Sequence, residues 1–319
     1  MYANRIFLTL LLFASLSSAK DRQKEAETLL KRAQEAADIR LDTSKPFRLH
    51  ARFHFAGELS SEQADVEYKE IWRSPDQWRR EMSSPDFEQI EIGGKAKRWI
   101  LHDLAGEPAR MRYIREWTQI SVFEVGKVAL LPDPAGGGSG HCVTSNVHRI
   151  EQTLCFDPAT GLLTHRKLGT ETGAMSCEYG DYQKFGDKTY PRALNCSSDL
   201  GFAVSGAVTE LSEDASPYDA TPFAPLTGAR EWPVCSRMSP PRWLHSWGPT
   251  PWSLHAPLAS GVGVSFTVGV DGKPVNITTI KSVGKHSDNG AMAIVRGWKF
   301  KPATCAGVPI PYPLEVVFH

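Results

Sequence analysis

The chain has 319 residues, 36 Lys and Arg against 36 Asp and Glu, and six cysteines. An apolar share of 41% and a charged share of 23% make it an ordinary globular protein, and its length suggests about two domains. Zero formal net charge excludes a nucleic-acid binder working by bulk positive charge and an acidic disordered chain. Past the N-terminus there is no apolar run of about 20 residues, so no internal membrane span is expected.

Residues 1–19, MYANRIFLTLLLFASLSSA, read as a cleavable export signal. Arg5 supplies the positive start and Ile6 to Leu16 the apolar run, and Ser17 and Ala19 are the small residues before a cut. The alternative is an inner-membrane anchor formed by residues 6–19, although roughly 14 residues is short for a span of about 20. Export implies a compartment outside the cytoplasm, which for a bacterial chain is the periplasm. No cysteine stands near the cut, which excludes an acylated N-terminal cysteine.

Ala26, Leu29, Leu30, Ala33, Ala36 and Ala37 recur at helical spacing, which predicts one amphipathic helix over 21–40, ended by Lys45-Pro46. The period then switches to two. From Phe47 to Phe55 the odd positions are apolar and the even ones are Arg or His, the pattern of a half-buried strand. Strands are predicted over 64–73, 77–83, 87–92, 96–102, 110–114 and 118–124, with turns at Ser74-Pro75-Asp76, Ser84-Pro85-Asp86 and Gly93-Gly94. After the loop at 132–140 more hairpins run to about residue 211. One helix followed by regularly spaced strands predicts a large antiparallel sheet. Residues 213–257 hold nine prolines together with Trp232, Trp243, Trp247 and Trp252. That composition predicts a linker that becomes an extended arm with buried tryptophans. From Gly261 a compact unit follows: strand 262–270, a turn at Asp271-Gly272, strand 274–283, helix 287–298 and strand 308–318. Met292, Val295 and Trp298 share a helical stripe with Ala291.

Six cysteines in an exported chain favour disulfides, and none has C-x-x-C spacing. Cys142 and Cys155 flank one predicted hairpin and Cys177 and Cys196 another, which leaves Cys235 with Cys305. Free buried thiols are the alternative.

Two resemblances are visible. Trp72, Pro75, Trp78-Arg79, Pro85, Gln89, Gly94-Lys95 and Trp99 form a frame similar to the LolA lipoprotein carriers. So do Phe156-Asp157-Pro158 with Gly161-Leu162, and Asp181-Tyr182 with Phe185-Gly186-Asp187-Lys188. The resemblance covers about 20–211 and implies an antiparallel half-barrel whose concave hollow accepts acyl chains. It makes Trp72, Trp78 and Trp99 candidates for lining that hollow. The block Ala293-Ile-Val295-Arg296-Gly-Trp298-Lys-Phe300-Lys-Pro302-Ala303 is similar to the TonB C-terminal domain. Val264 to Val268, Asp271-Gly272-Lys273 and Pro309-Ile-Pro311 belong to the same pattern. That resemblance implies a ββαβ unit that binds an outer-membrane receptor by adding a receptor strand to its sheet edge. This chain departs from the TonB pattern in its cleavable N-terminal segment, in a sheet domain replacing most of the stalk, and in Gly248-Pro-Thr-Pro-Trp252 replacing the usual Tyr-Pro element. Pro309, Pro311 and Pro313 alternate along the last predicted strand and blunt one edge, so a partner strand is expected on Leu314, Glu315, Val316, Val317 and Phe318.

No catalytic signature is present. G-x-S-x-G, H-E-x-x-H and the phosphate-binding loop are absent, and Gly136 to Gly140 lacks the following Lys. His50 and His54 share a strand face with Arg48 and Arg52, which would repel a metal, so no metal and no cofactor is expected. The expected fold class is α+β, with a LolA-like half-barrel at 20–211, a Pro/Trp-rich arm at 212–245 and a TonB C-terminal domain at 246–319. The expected function is non-enzymatic: envelope transport through strand pairing, without an energising membrane anchor of its own. The partner is an outer-membrane receptor or another envelope protein. The alternative is a carrier of lipid or lipoprotein acyl chains.

Overall fold

The computed structural model describes residues 23–57, 64–85, 87–94, 97–101, 111, 114, 127–130, 141–147, 150–170, 173–199, 201–216, 218–233, 235, 238–245 and 261–318. The export signal, the strand at 118–124, the glycine-rich loop, Trp247 and Trp252 lie outside the described residues. Most of the chain is antiparallel strand. Twelve strands come first: β1 (Phe47–Gly57), β2 (Ala64–Ser74), β3 (Gln77–Ser84), β4 (Phe87–Gly94), β5 (Lys97–Leu101), β6 (Lys127–Leu130), β7 (His141–Val147), β8 (Ile150–Phe156), β9 (Leu163–Thr170), β10 (Gly173–Phe185), β11 (Lys188–Ser198) and β12 (Phe202–Glu213). They form one open sheet in the order β5-β4-β3-β2-β1-β12-β11-β10-β9-β8-β7-β6. The first strand is therefore central. One meander runs outward from it, and the second returns to close on it through β12.

The alternation of β1 decides which face is the core. Phe47, Leu49, Ala51, Phe53 and Phe55 are buried on the inner face, and the Arg and His residues between them are not. A helix over 23–37 covers this face and buries Ala26, Leu30 and Ala33 against it. The helix stops short of residue 40 because the Asp38 carboxylate accepts the Arg40 amide (2.8 Å), an Asx-type turn that competes with helix. The predicted strand at 110–114 is corrected: Met111 and Ile114 are helical and fully buried in the large core. Their spacing of three is a helical period, which Arg110 and Arg112 on either side of Met111 disguise as alternation.

The segment after β12 is strapped across the outer face. The buried Asp214 carboxylate accepts from Arg48 Nε and Arg73 Nε, each at 3.0 Å. Burial pushes this carboxyl up, but the two guanidiniums and the Ser216 amide outweigh it and hold it below the usual range. Arg73 also donates to the Ser216 and Asp219 carbonyls and lies 4.5 Å from the Phe223 ring centroid, while Arg79 donates to the Pro222 carbonyl (3.1 Å). The chain then adds short strands to three neighbours. β13 (Arg230–Pro233) pairs with β5 and becomes the thirteenth strand of the large sheet. β14 (Met238–Ser239) pairs with β19 (Ala303–Cys305), and β15 (Arg242–His245) with β18 (Lys299–Lys301).

The C-terminal unit is a three-stranded sheet in the order β17 (Pro274–Lys281), β16 (Val262–Val268), β21 (Tyr312–Phe318), packed under a helix over Lys285–Arg296. The helix ends two residues earlier than its apolar stripe. Gly297 donates its amide to Ile294, and Trp298 joins the core from beyond the helix. The single last strand expected over 308–318 is corrected. It breaks at Pro311: β20 (Val308–Ile310) pairs with β19, whereas β21 pairs with β16. Pro309 and Pro313 therefore lie in different sheets and do not form one blunted edge.

Ala306 and Gly307 close the β19–β20 hairpin with φ of 48° and 89°. Two positive φ values between paired strands mark a type I′ turn, where alanine is strained and asparagine is favoured. Ala306→Asn is expected to add about 1 kcal/mol of stability, read as a raised denaturation midpoint. An unchanged midpoint would contradict the turn assignment.

The disulfides are Cys142–Cys155, Cys177–Cys196 and Cys235–Cys305. The first two join directly opposed residues of β7–β8 and β10–β11. The third ties the segment between β13 and β14 to the end of β19.

Candidate functional site

β16 is buried along its whole length, from Val262 to Val268. Val262, Val264, Phe266 and Val268 face the helix, while Ser265 and Thr267 are buried on the opposite face. On that second face Ile280 of β17 belongs to the hydrophobic cluster of the large sheet, so the C-terminal unit is packed against the rest of the chain. β21 lies at the sheet edge with β16 on one side. Its register runs from Tyr312 opposite Val268 to Phe318 opposite Val262. Leu314, Val316 and Phe318 point to the helix side, and Phe318 stacks on Trp298 with ring centroids 5.8 Å apart. Pro313 has no N–H to give Thr267, so it fits the phase of the ladder whose amides point away from β16. Val317, four residues on, shares that phase.

The sequence-derived interior candidates divide between the two faces of the large sheet. Trp72 and Trp78 are directly opposed on β2 and β3 and sit on the inner face. Trp72 is 2% exposed and stacks on Phe47 (5.5 Å), as a wall of the packed core. Trp99 is opposite Ile92, which is opposite Arg79, and this places it on the outer face. The structure thus brings Trp72 and Trp78 together and leaves Trp99 apart. None of the three lines the small apolar cavity of about 30 Å³ that lies instead among β1, β10, β11 and β12, walled by Leu49, Phe53, Tyr179, Tyr190, Arg192 and Val208 among others.

The inner face also holds a buried ion cluster. The Glu70 carboxylate accepts from Arg40 Nε (3.1 Å to each oxygen), Arg80 Nε (3.0 Å) and the Tyr68 hydroxyl (3.0 Å). Arg80 lies over the Trp78 ring (4.3 Å) and Arg40 over Phe47 (5.6 Å). Burial alone would raise the Glu70 carboxyl. The two guanidiniums and their hydrogen bonds reverse that and bring it down to about 2. Burial pushes the Tyr68 hydroxyl up, and Glu70 adds to the shift. The cluster locks the chain after the N-terminal helix to β2 and β3. It offers no group with the intermediate proton affinity that acid–base catalysis uses.

Residues 258–319 match the family model described as Gram-negative bacterial TonB protein C-terminal. That match takes in β16, β17, the helix over Lys285–Arg296 and β18 to β21, so the candidate edge belongs to the TonB C-terminal region. Three solved structures are similar to much of the rest. A LolA superfamily protein from Nitrosomonas europaea is 11% identical, with a TM-score of 0.45 over 62% of this chain and 97% of its own. A domain described as an outer membrane lipoprotein-sorting protein, from Vibrio parahaemolyticus, is 12% identical, with a TM-score of 0.45 over 62% and 100%. A DUF1329 family protein from Desulfovibrio piger is 9% identical, with a TM-score of 0.48 over 64% and 97%. No curated protein matches the chain.

In the TonB C-terminal region all five candidate residues, Leu314 to Phe318, lie on β21. Sequence reasoning missed the Glu70 cluster, although a signal was there. Glu70 occupies the strand phase of Val66, Tyr68 and Trp72, all buried apolar or aromatic residues, and Arg80 that of Trp78 and Met82. A charge in the apolar phase of a strand, facing an opposite charge across a short turn, announces a buried pair.

Proposed function

We propose that the protein is a non-enzymatic docking protein of the cell envelope, placed in the periplasm, which takes a partner strand onto β21 along Leu314–Phe318. The edge position of β21, paired with β16 on one side, carries this reading. Strand addition draws its affinity from main-chain hydrogen bonds and its specificity from alternate side chains. Pro313 at the start of β21 removes a donor there and confines pairing to the following residues. Three disulfides suit an oxidising compartment. The partner is an outer-membrane receptor or another envelope protein presenting an extended segment, and docking needs no energising anchor on this chain.

The test uses the full chain and a labelled peptide from the periplasmic N-terminal segment of an outer-membrane receptor, followed by fluorescence anisotropy. Val317→Pro removes an outward amide and is expected to weaken binding about tenfold or more, with near-UV circular dichroism checking the fold. A second arm leaves the protein untouched: N-methylating the peptide at alternate residues abolishes binding in one phase and spares it in the other. Binding unchanged in both arms sinks the proposal. Co-purified lipid with no peptide binding would favour the acyl-chain carrier instead.

A further inference from the structure

The β15–β18 ribbon presents its aromatic residues inward and its cations outward. Two side chains face the helix-side core, Trp243 and Phe300, and they are directly opposed. Arg242 is directly opposite Lys301, and Lys299 lies two residues before Lys301 on the same face. All three cations are exposed, and Leu244 beside them is 54% exposed. Among the described residues none of the three has an ion pair. The acid of the adjoining β16–β17 turn, Asp271, is taken by Lys273 at 3.5 Å. Like charges directly opposite on a ladder destabilise it, and nothing in the packing of Trp243 on Phe300 requires cations on the other face.

We infer that this outward face is a docking surface for an extended acidic peptide segment. Lys299 and Lys301 are about 6.7 Å apart along the strand, the distance at which acidic side chains at every second position of an extended peptide recur. Arg242 adds a planar guanidinium that suits a carboxylate in two-point contact. Leu244 gives an apolar residue of the same peptide a place to rest. Three cations and one leucine are fewer contacts than stable membrane attachment takes, which favours the peptide over a lipid surface. The patch is independent of β21, and its failure would leave the strand-docking reading standing.

The experiment titrates the full chain with a short peptide carrying glutamate at every second position, and separately with vesicles of phosphatidylglycerol. The wild type is expected to bind the peptide, more weakly as salt rises, and the Lys299→Glu/Lys301→Glu variant to lose about tenfold or more. Lys301→Glu alone converts a repulsive pair into an attractive one, so it should raise the melting temperature while weakening the peptide. Equal peptide binding by wild type and double variant overturns the inference. So does a melting temperature that falls in Lys301→Glu, since it would show the cations already balanced. Vesicle binding with indifference to the peptide overturns it in favour of a membrane surface.

Discussion

Glu70→Gln is expected to cost about 3 kcal/mol of folding stability at neutral pH. The amide keeps the volume but removes the charge between Arg40 and Arg80, and leaves two guanidiniums buried without a counter-ion. The Arg40 and Glu70 side chains are 7% and 0% exposed, so water cannot make good the loss. Replacing all three charges with Met, Leu and Met is expected to be close to neutral, because the desolvation of every ion disappears with the ions. The contrast between the single and the triple variant, read by chemical denaturation, tests whether the cluster stabilises or only has to be complete. A pH series gives a second reading. The Glu70 carboxyl titrates at about 2 when folded, below its ordinary unfolded value. A depressed carboxyl contributes stability that is complete above the unfolded value and is lost as pH falls through the folded one. The gap between wild type and Glu70→Gln should therefore hold down to about pH 4.5 and shrink towards pH 2. A gap that stays constant over that window would contradict the assignment.

The second large effect is expected at Gly272. It has φ +79°, and a Cβ there would stand 1.9 Å from the Phe300 carbonyl oxygen. The obstacle is backbone, which cannot swing aside. Phe300 also donates its amide to the Gly272 carbonyl (2.9 Å), so the β16–β17 turn is pinned to β18. Gly272→Ala combines left-handed strain with overpacking and should cost about 3 kcal/mol. Hydrogen exchange should locate the loss in β16, β17 and β18 and leave β1 to β12 protected. Loss spread evenly over the chain would show that the two parts unfold together.

Much of this architecture was legible from local pattern. The odd–even alternation of Phe47 to Phe55 gave the inner face of β1, and Asp271-Gly272 gave the turn that Gly272 now explains. Cysteines flanking short hairpins marked the disulfide positions, because directly opposed residues are the ones close enough to join. What was not legible depends on contacts distant in sequence. Nothing local says that Arg40 reaches Glu70, 30 positions away, or that Asp214, Ser216, Asp219 and Pro222 are held on the outer face by Arg48, Arg73 and Arg79. The break at Pro311 was hidden for another reason. Three alternating prolines look like one edge until β19 offers β20 a separate partner. The candidate edge was readable as residues, and its place beside β16 needed the topology.

The Cys235–Cys305 bond has a mechanical consequence. Any tension applied along β21 leaves the strand at residue 312, seven positions from Cys305. From there the covalent route crosses the sulfurs to Cys235 and, two residues further back, reaches β13 in the large sheet. The 70-residue separation between the two cysteines, with β16, β17 and the C-terminal helix inside it, hangs off this route as a closed loop. Pulling from β21 to the large sheet therefore loads about a dozen residues and one sulfur bridge, and the loop's hydrogen bonds need not bear the tension. Reduction would redirect the same pull through the whole C-terminal unit.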